Sequence, residues 1–333
     1  MIFCFGELLL RLSPSLQRQW ITKAAMPVYI GGAELNVATA LAKWNTPVKY
    51  CTALPDNYLS REIIEELNAK DIDTSAIHLS GNRIGAYYLP QGTDLKNAGV
   101  IYDRAHSSFA DLKPGVIDWN NVLDGCTWFH FSAISPALSQ DAADVCSEAL
   151  AVAVSKGLTI SVDLNYRSKL WQYGKKPEEI MPGLVKDCGV IMGNMWAVES
   201  LLGIPSPVKD SKGKHMPELL QATKENMLRL HKTYPKAGSL AYTFRLEKEY
   251  WAVLQHGAET KISRPHFIGE TLDKVGSGDC FMAGLIYGLH HRRLAQYTID
   301  FATAAAVGKL QVIGDATNQN IDETSKIRKL WRV

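Results

Sequence analysis

Short apolar runs alternate along this chain with longer segments whose apolar residues recur every three or four positions. The runs MIFCF at 1–5, VKYCTAL at 48–54, TWFHFSA at 127–133, LTISVDLN at 158–165, GVIMGN at 189–194 and SLAYTF at 239–244 read as strands. Between them, NVATALAKW at 36–44, LSREIIEELNAK at 59–70 and SQDAADVCSEALAVAVSKG at 139–157 read as helices, the last stopping at Gly157. Such strand–helix alternation predicts an α/β fold with a mostly parallel central sheet and helices on both faces.

Two regions break the rhythm. From Leu8 to Ile30 and from Arg83 to Arg104, short strand-like pieces such as IGAYYLPQGTD and AGVIYDR are separated by turn residues, with no helical periodicity. They predict a small sheet projecting from the main body as a lid over a ligand, or else two ordinary surface hairpins. The whole chain, 1–333, is expected to be a single domain with lid strands inserted at about 8–30 and 83–104. IPSPVKDSKGKHMPE at 204–218 reads as a polar, proline-bearing loop.

Composition narrows the partners more than the fold. A net charge of +2 on 333 residues gives no basic face for nucleic acid or an anionic membrane. No run has the length of a membrane span, and the opening MIFCFGELLLRL, interrupted by Glu7 and Arg11, reads as a first strand rather than a leader. The six cysteines are scattered without a C-x-x-C pair, which argues against zinc and disulfides and suits a reducing cytoplasm.

Chemistry concentrates in LDKVGSGDCFMAGL, Leu272 to Leu285. A P-loop would place Lys and Ser or Thr after its last glycine, but Asp279 and Cys280 follow Gly278. A dinucleotide fingerprint would place a third glycine where Phe281 stands, and would open the chain's first strand–helix unit. What remains is a glycine turn feeding a helix whose inner face is Phe281, Gly284, Leu285, Gly288 and Leu289. The N–H groups of Gly276, Ser277 and Gly278 at that helix start suit a phosphate or a developing anion. Asp279 is then either a carboxylate facing that anion or a helix cap.

DKVGSGDCF resembles the C-terminal signature of the ribokinase-like (PfkB-type) sugar kinases, D-T-x-G-A-G-D-A-F, and GGAELNVATALAKW at 31–44 resembles their N-terminal signature. The resemblance covers essentially the whole chain and implies a ribokinase-like three-layer α/β/α fold with a β-sheet lid. It implies Asp279 as general base toward a sugar hydroxyl, with Gly276, Ser277 and Gly278 as the anion hole and Mg²⁺-bound ATP as donor. Gly31, Gly32 and Asn36 would meet the acceptor, the two glycines allowing a hydroxyl close to the backbone.

Within that family the stretches IGAYYL, IYDRA, FHFSAISPALS, VDLNYRSKLW and the late GD are most similar to the 2-keto-3-deoxygluconate kinase branch. This implies a sugar-acid substrate contacted by Tyr87, Tyr102, Arg104, Arg167 and Asp315. Guanidinium groups suit a carboxylate, although both arginines could instead form structural salt bridges and both tyrosines could pack the lid. Asn194, Thr243 and Arg245, with Gly276 and Gly278, are implied on the nucleotide side.

The departures from the pattern lie on that side. Ala197 stands where an N-x-x-E motif would place its glutamate, Glu199 is two residues off, and TFRLEKEYW has no nucleotide-loop glycine. Lys274 replaces the usual Thr, and with the glutamate of N-x-x-E missing the metal ligands are not assigned. The resemblance further implies a homodimer clasped through the lid. A neutral-sugar kinase and a non-catalytic sugar-acid binder remain as alternatives.

Overall fold

The structure is a computed structural model that describes residues 1–14, 25–90 and 99–330. Parts of both lid regions, 15–24 and 91–98, lie outside the described residues. Every strand expected from the apolar runs is present. The run at 48–54 divides into Val48–Cys51 and Ala53–Leu54, and the final run extends to Arg245.

Seven strands pair in parallel in the order Ser239–Arg245, Val190–Gly193, Thr159–Asp163, Trp128–Ser132, Ile2–Phe5, Val48–Cys51, Ile72–Asp73. Glu249–His256 and then Glu259–Ile262 continue the sheet antiparallel beyond Arg245, and His266–Phe267 also pairs with Glu249–His256. The central strands are buried on both faces, which is why they read as continuous apolar runs without alternation. Phe3, Phe5, Phe129 and Phe131 enter one core, while Ile2, Cys4 and Trp128 enter the core on the opposite face. The parallel register sets Phe3 beside Phe129, and their rings stack at 5.7 Å. Burying each such ring contributes about 1.5–3 kcal/mol before entropy is counted.

The helix expected at 139–157 runs Gln140–Ser155. Ser139 Oγ caps it by accepting the Ala142 N–H at 3.1 Å, and Gly157 leaves it at φ +70°. The segment 204–218 is loop up to His215, after which the helix Met216–Thr233 begins.

A second sheet holds four strands in the order Val28–Gly31, Leu9–Leu12, Gly85–Tyr88, Ile101–Asp103. The two irregular regions therefore pair with each other, which separate hairpins would not do.

The helix after the glycine turn, Ser277–His290, is buried from Asp279 to Gly288, on more than the one face its spacing suggests. It packs between the helices Ala33–Lys43 and Ala295–Lys309. A side-chain carbon on Gly284 would stand 2.6 Å from the Ala302 Cα, and one on Gly288 would stand 2.5 Å from Thr298. The glycines let two backbones approach, and this approach fixes where the turn is held. Gly284→Val is expected to lower the unfolding free energy by about 3 kcal/mol, read from urea denaturation. A variant as stable as the parent would mean that the two helices can move apart freely.

Candidate active site

The C-terminal ends of the parallel strands open into a cleft of about 1250 Å³, where ligands bind in sheets of this kind. Asp163, Gly193, Asn194, Thr243 and Arg245 come from those strand ends, and Tyr87 and Tyr102 come from the second sheet above them. The helix start with Gly276, Ser277, Gly278 and Asp279 forms another wall.

Gly276 is the N-cap of its helix at φ +77°, a backbone glycine adopts without strain, and a side chain there would overlap the Asp315 carbonyl oxygen. The next N–H groups precede the helical hydrogen-bond ladder and so lack intrahelical acceptors. The Ser277 hydroxyl donates to the Ala306 carbonyl at 3.0 Å, leaving its backbone as the part that can serve a ligand. Gly278 is exposed, and a side chain there would meet no protein atom and would stand in the cleft.

Asp279 is not a helix cap. Its Oδ2 accepts from Asn36 Nδ2 at 2.7 Å, joining the two glycine-bearing motifs across 243 positions. Burial pushes its pKa up to about 6, against the pull of the Asn36 bond and the Arg167 and Lys309 charges, with Asp315 adding to the rise. Asn36 Oδ1 is buried and has no hydrogen-bond partner among the described residues. Two residues before it, burial raises Glu34 to about 7, while its Oε1 accepts the Ser132 N–H at 2.8 Å.

The expected acceptor residues gather in the cleft with one exception. Gly32, Asn36, Tyr87, Tyr102, Arg104, Arg167 and Asp315 line it, and Gly31 does not. Nor do the two glycines chiefly make room for a ligand. A side chain on Gly31 would overlap the Asp315 carboxylate, and one on Gly32, at φ +134°, would overlap the Glu7 carbonyl oxygen. Asp315 itself accepts the Tyr87 hydroxyl at 2.6 Å and pairs with Arg11 Nε at 2.9 Å, a contact whose angle is outside hydrogen-bond range. Arg104 donates Nε to Glu7 Oε2 at 2.6 Å and reaches the same oxygen through Nη2, so this arginine has the structural partner that was one of its two expected fates. Arg167 is half-buried and donates Nη1 to the Tyr166 carbonyl.

On the opposite side of the cleft, Asn194 Oδ1 caps the helix Met195–Leu202 by accepting the Ala197 N–H at 2.9 Å. Ala197 lines the cleft, whereas Glu199 is exposed and lies outside it. Among the described residues no group of three or more metal-ligating side chains occurs.

Several residues at the site carried no mark in the sequence. Asp163, buried at the end of its strand, could have been found from its place in VDLN, since strand ends in parallel sheets face ligands. Arg11, Asp273 and Lys309 are fully buried behind the turn; Asp273 opens the DKVGSGDCF motif, whereas Arg11 and Lys309 have no local sequence signal.

A helix start aimed at a cleft, with a buried carboxyl of raised pKa in its first turn, suits phosphoryl transfer to a hydroxyl acceptor. Sequence comparison agrees: residues 1–322 match the pfkB family carbohydrate kinase model, and the chain belongs to that family. Membership of that family implies ATP as phosphate donor. Among solved structures it is similar to 2-dehydro-3-deoxygluconokinase from Thermotoga maritima, with 32% identity, 98% of each chain covered and a TM-score of 0.87. It is also similar to 2-dehydro-3-deoxygalactonokinase from Haloferax volcanii, 28% identical over 97% of this chain and 95% of that one. A third relative, 2-dehydro-3-deoxygluconokinase from Bacillus subtilis, is 25% identical over 85% of this chain and 80% of that one. No helix among the described residues is long and apolar enough to cross a membrane.

With Asp279 acting in its ionised form, kcat/KM is expected to rise with pH through an apparent pKa of about 6. Asn36→Leu removes the hydrogen bond that favours the carboxylate, so this acidic limb should move to higher pH. A pH–rate profile unchanged by the substitution would separate the two residues.

Proposed function

We propose that this carbohydrate kinase transfers the γ-phosphoryl group of ATP to the 6-hydroxyl of 2-keto-3-deoxygluconate. The observation that carries this reading is the joint placement of Asp279 and Asn36 in front of the glycine turn. Asp279 accepts the proton of the acceptor hydroxyl as its oxygen attacks, and the raised pKa makes it a better base than an ordinary exposed carboxylate. Asn36 orients Asp279 through Nδ2 and presents Oδ1 as an acceptor for a neighbouring sugar hydroxyl. The N–H groups of Gly276, Ser277 and Gly278 receive charge from the transferring phosphoryl oxygens, in a site that needs no reorganisation as charge develops.

Magnesium carried on the nucleotide needs one or two protein carboxylates in addition to phosphate oxygens. With alanine at 197, the buried Asp163 in the cleft fits that requirement. Mg²⁺ would there neutralise phosphate charge. Asn194, Thr243 and Arg245 serve the nucleotide from the same strand ends.

An acidic sugar is supported by Arg167, which faces the cleft next to Asp279, and by the names of the similar proteins. Arg104 is bound to Glu7, so it supports that choice less than its sequence motif suggested, and a neutral sugar stays as the second reading. The chain is further proposed to act as a cytoplasmic homodimer clasped through the second sheet, where Val28 and Ile101 are exposed; light scattering at micromolar concentration that returns a monomer would remove this.

A coupled ADP assay over keto-deoxy sugar acids, fructose and ribose decides the substrate. The expected result is turnover of the acids alone, with Arg167→Gln raising the acid's KM. Asp279→Asn should lower kcat by about 10²–10⁴-fold. Wild-type turnover in that variant would remove Asp279 as the base, and equal turnover of fructose would favour the neutral-sugar reading.

A further inference from the structure

The glycine turn rests on a buried cation that the mechanism above leaves unused. Lys309, at the end of the helix Ala295–Lys309, is 0% exposed, a rare state for lysine. Its Nζ donates to the Val312 carbonyl at 2.9 Å. Its Cε lies 3.4 Å from where a side-chain carbon on Gly276 would stand, against the same point at which the Asp315 carbonyl presses. The lysine therefore reaches the back of the turn whose front faces the cleft.

The charged and titratable groups acting on it are Asp273, Cys280, Asp315 and Arg11. Burial lowers its pKa, and the two carboxylates oppose that fall. The field is felt on the other side as well, since Lys309 is one of the charges that favour ionised Asp279. A neutral donor would satisfy the Val312 carbonyl equally well. Burying a strongly hydrated ammonium carries a desolvation penalty that the hydrogen bond alone does not require.

We propose that Lys309 is a positioning residue for phosphoryl transfer, a fixed internal ammonium that holds the segment 310–315 against Gly276 and supplies positive potential behind the anion-binding N–H groups. It touches neither sugar nor nucleotide and acts through the turn. In the transition state the charge of the transferring phosphoryl group is spread over its equatorial oxygens, on the cleft side of the same peptide units. A cation fixed behind them in a low-dielectric interior lowers that charge's energy with no rearrangement. The role is read in kcat and in mimic affinity rather than in sugar KM or ADP affinity, because neither the sugar nor ADP alone places a phosphoryl group at the turn. This inference rests on the phosphoryl-transfer reading of the turn.

The test compares Lys309→Gln, which keeps a donor for Val312 without the charge, with Lys309→Met, which keeps neither. Urea melts, kcat and KM are measured for each, together with affinity for ADP alone and for ADP with aluminium fluoride and sugar, a mimic of the transferring group. Both variants are expected to lose about tenfold to a hundredfold in kcat and in mimic affinity. Sugar KM and ADP affinity should stay within about twofold, since neither ligand touches Lys309 in the ground state. A folded Lys309→Gln with parental kcat and mimic affinity overturns the proposal and leaves a hydrogen bond as the whole role. If Lys309→Met does not fold, the Gln variant is read alone; loss of its cooperative melt as well assigns Lys309 to stability and overturns the charge-based role. Turnover of the unsubstituted chain and its loss in Asp279→Asn are measured first. Their failure removes the kinase mechanism, whereas a parental Lys309→Gln removes only this inference.

Discussion

The buried arginine Arg11 ties the second sheet to the glycine turn. From the second sheet it donates Nη1 and Nη2 to the two oxygens of Asp273, at 3.2 and 2.6 Å, and pairs through Nε with Asp315. Asp273 also accepts the N–H groups of Val275 and Gly314 at 3.1 and 3.2 Å. A buried carboxylate with four donors has little freedom to move, and the peptide units of the glycine turn follow directly from it. Removing one member of such a network leaves uncompensated charge in the interior, a cost of about 3–5 kcal/mol. The second sheet and the turn are therefore mechanically a single unit, with Tyr29 stacked 4.5 Å from the Arg11 guanidinium on the sheet side.

From that constraint follows the division of the cleft. On the side of Asn36 and Asp279, polar groups partner one another: Glu7 accepts from Arg104 and Ser107, while Asp315 accepts from Tyr87 and pairs by charge with Arg11. Such mutual pairing fixes rotamers before a ligand arrives, which lowers the entropy that binding must overcome. Asn36 Oδ1 keeps an open valence beside the Asp279 carboxyl, and Asp315 Oδ1 also lacks a hydrogen-bond donor. On the opposite side the cleft is shallower in built chemistry, with an asparagine spent on capping a helix and an alanine at 197. The polar network is thus dense around Asn36 and Asp279 and sparse at the strand ends opposite.

The strands were readable because burial on both faces writes itself as uninterrupted apolar runs, such as IFCF and WFHFS. The helix 277–290 was readable in position but not in environment, since a helix buried all round has no polar face to mark its neighbours. Asp279 and the turn could be found because positive φ at 276 and a cleft-facing position at 278 leave glycine as the local signature. Gly31 and Gly32 were found by the same signature, yet their reason differs: protein atoms of Asp315 and Glu7, rather than a sugar, occupy the space beside them.

By itself the sequence determined the order of strands and helices, the glycine turn with its acid, and the kinase family to which both motifs belong, because each of these is encoded within a few neighbouring residues. Only the tertiary structure decided which polar groups are spoken for. Arg104 with Glu7, Arg11 with Asp273 and Asp315, and Asn36 with Asp279 are partners separated by as many as 304 positions. Charge pairing in a buried cleft depends on distance in space, and a linear pattern carries no record of that distance.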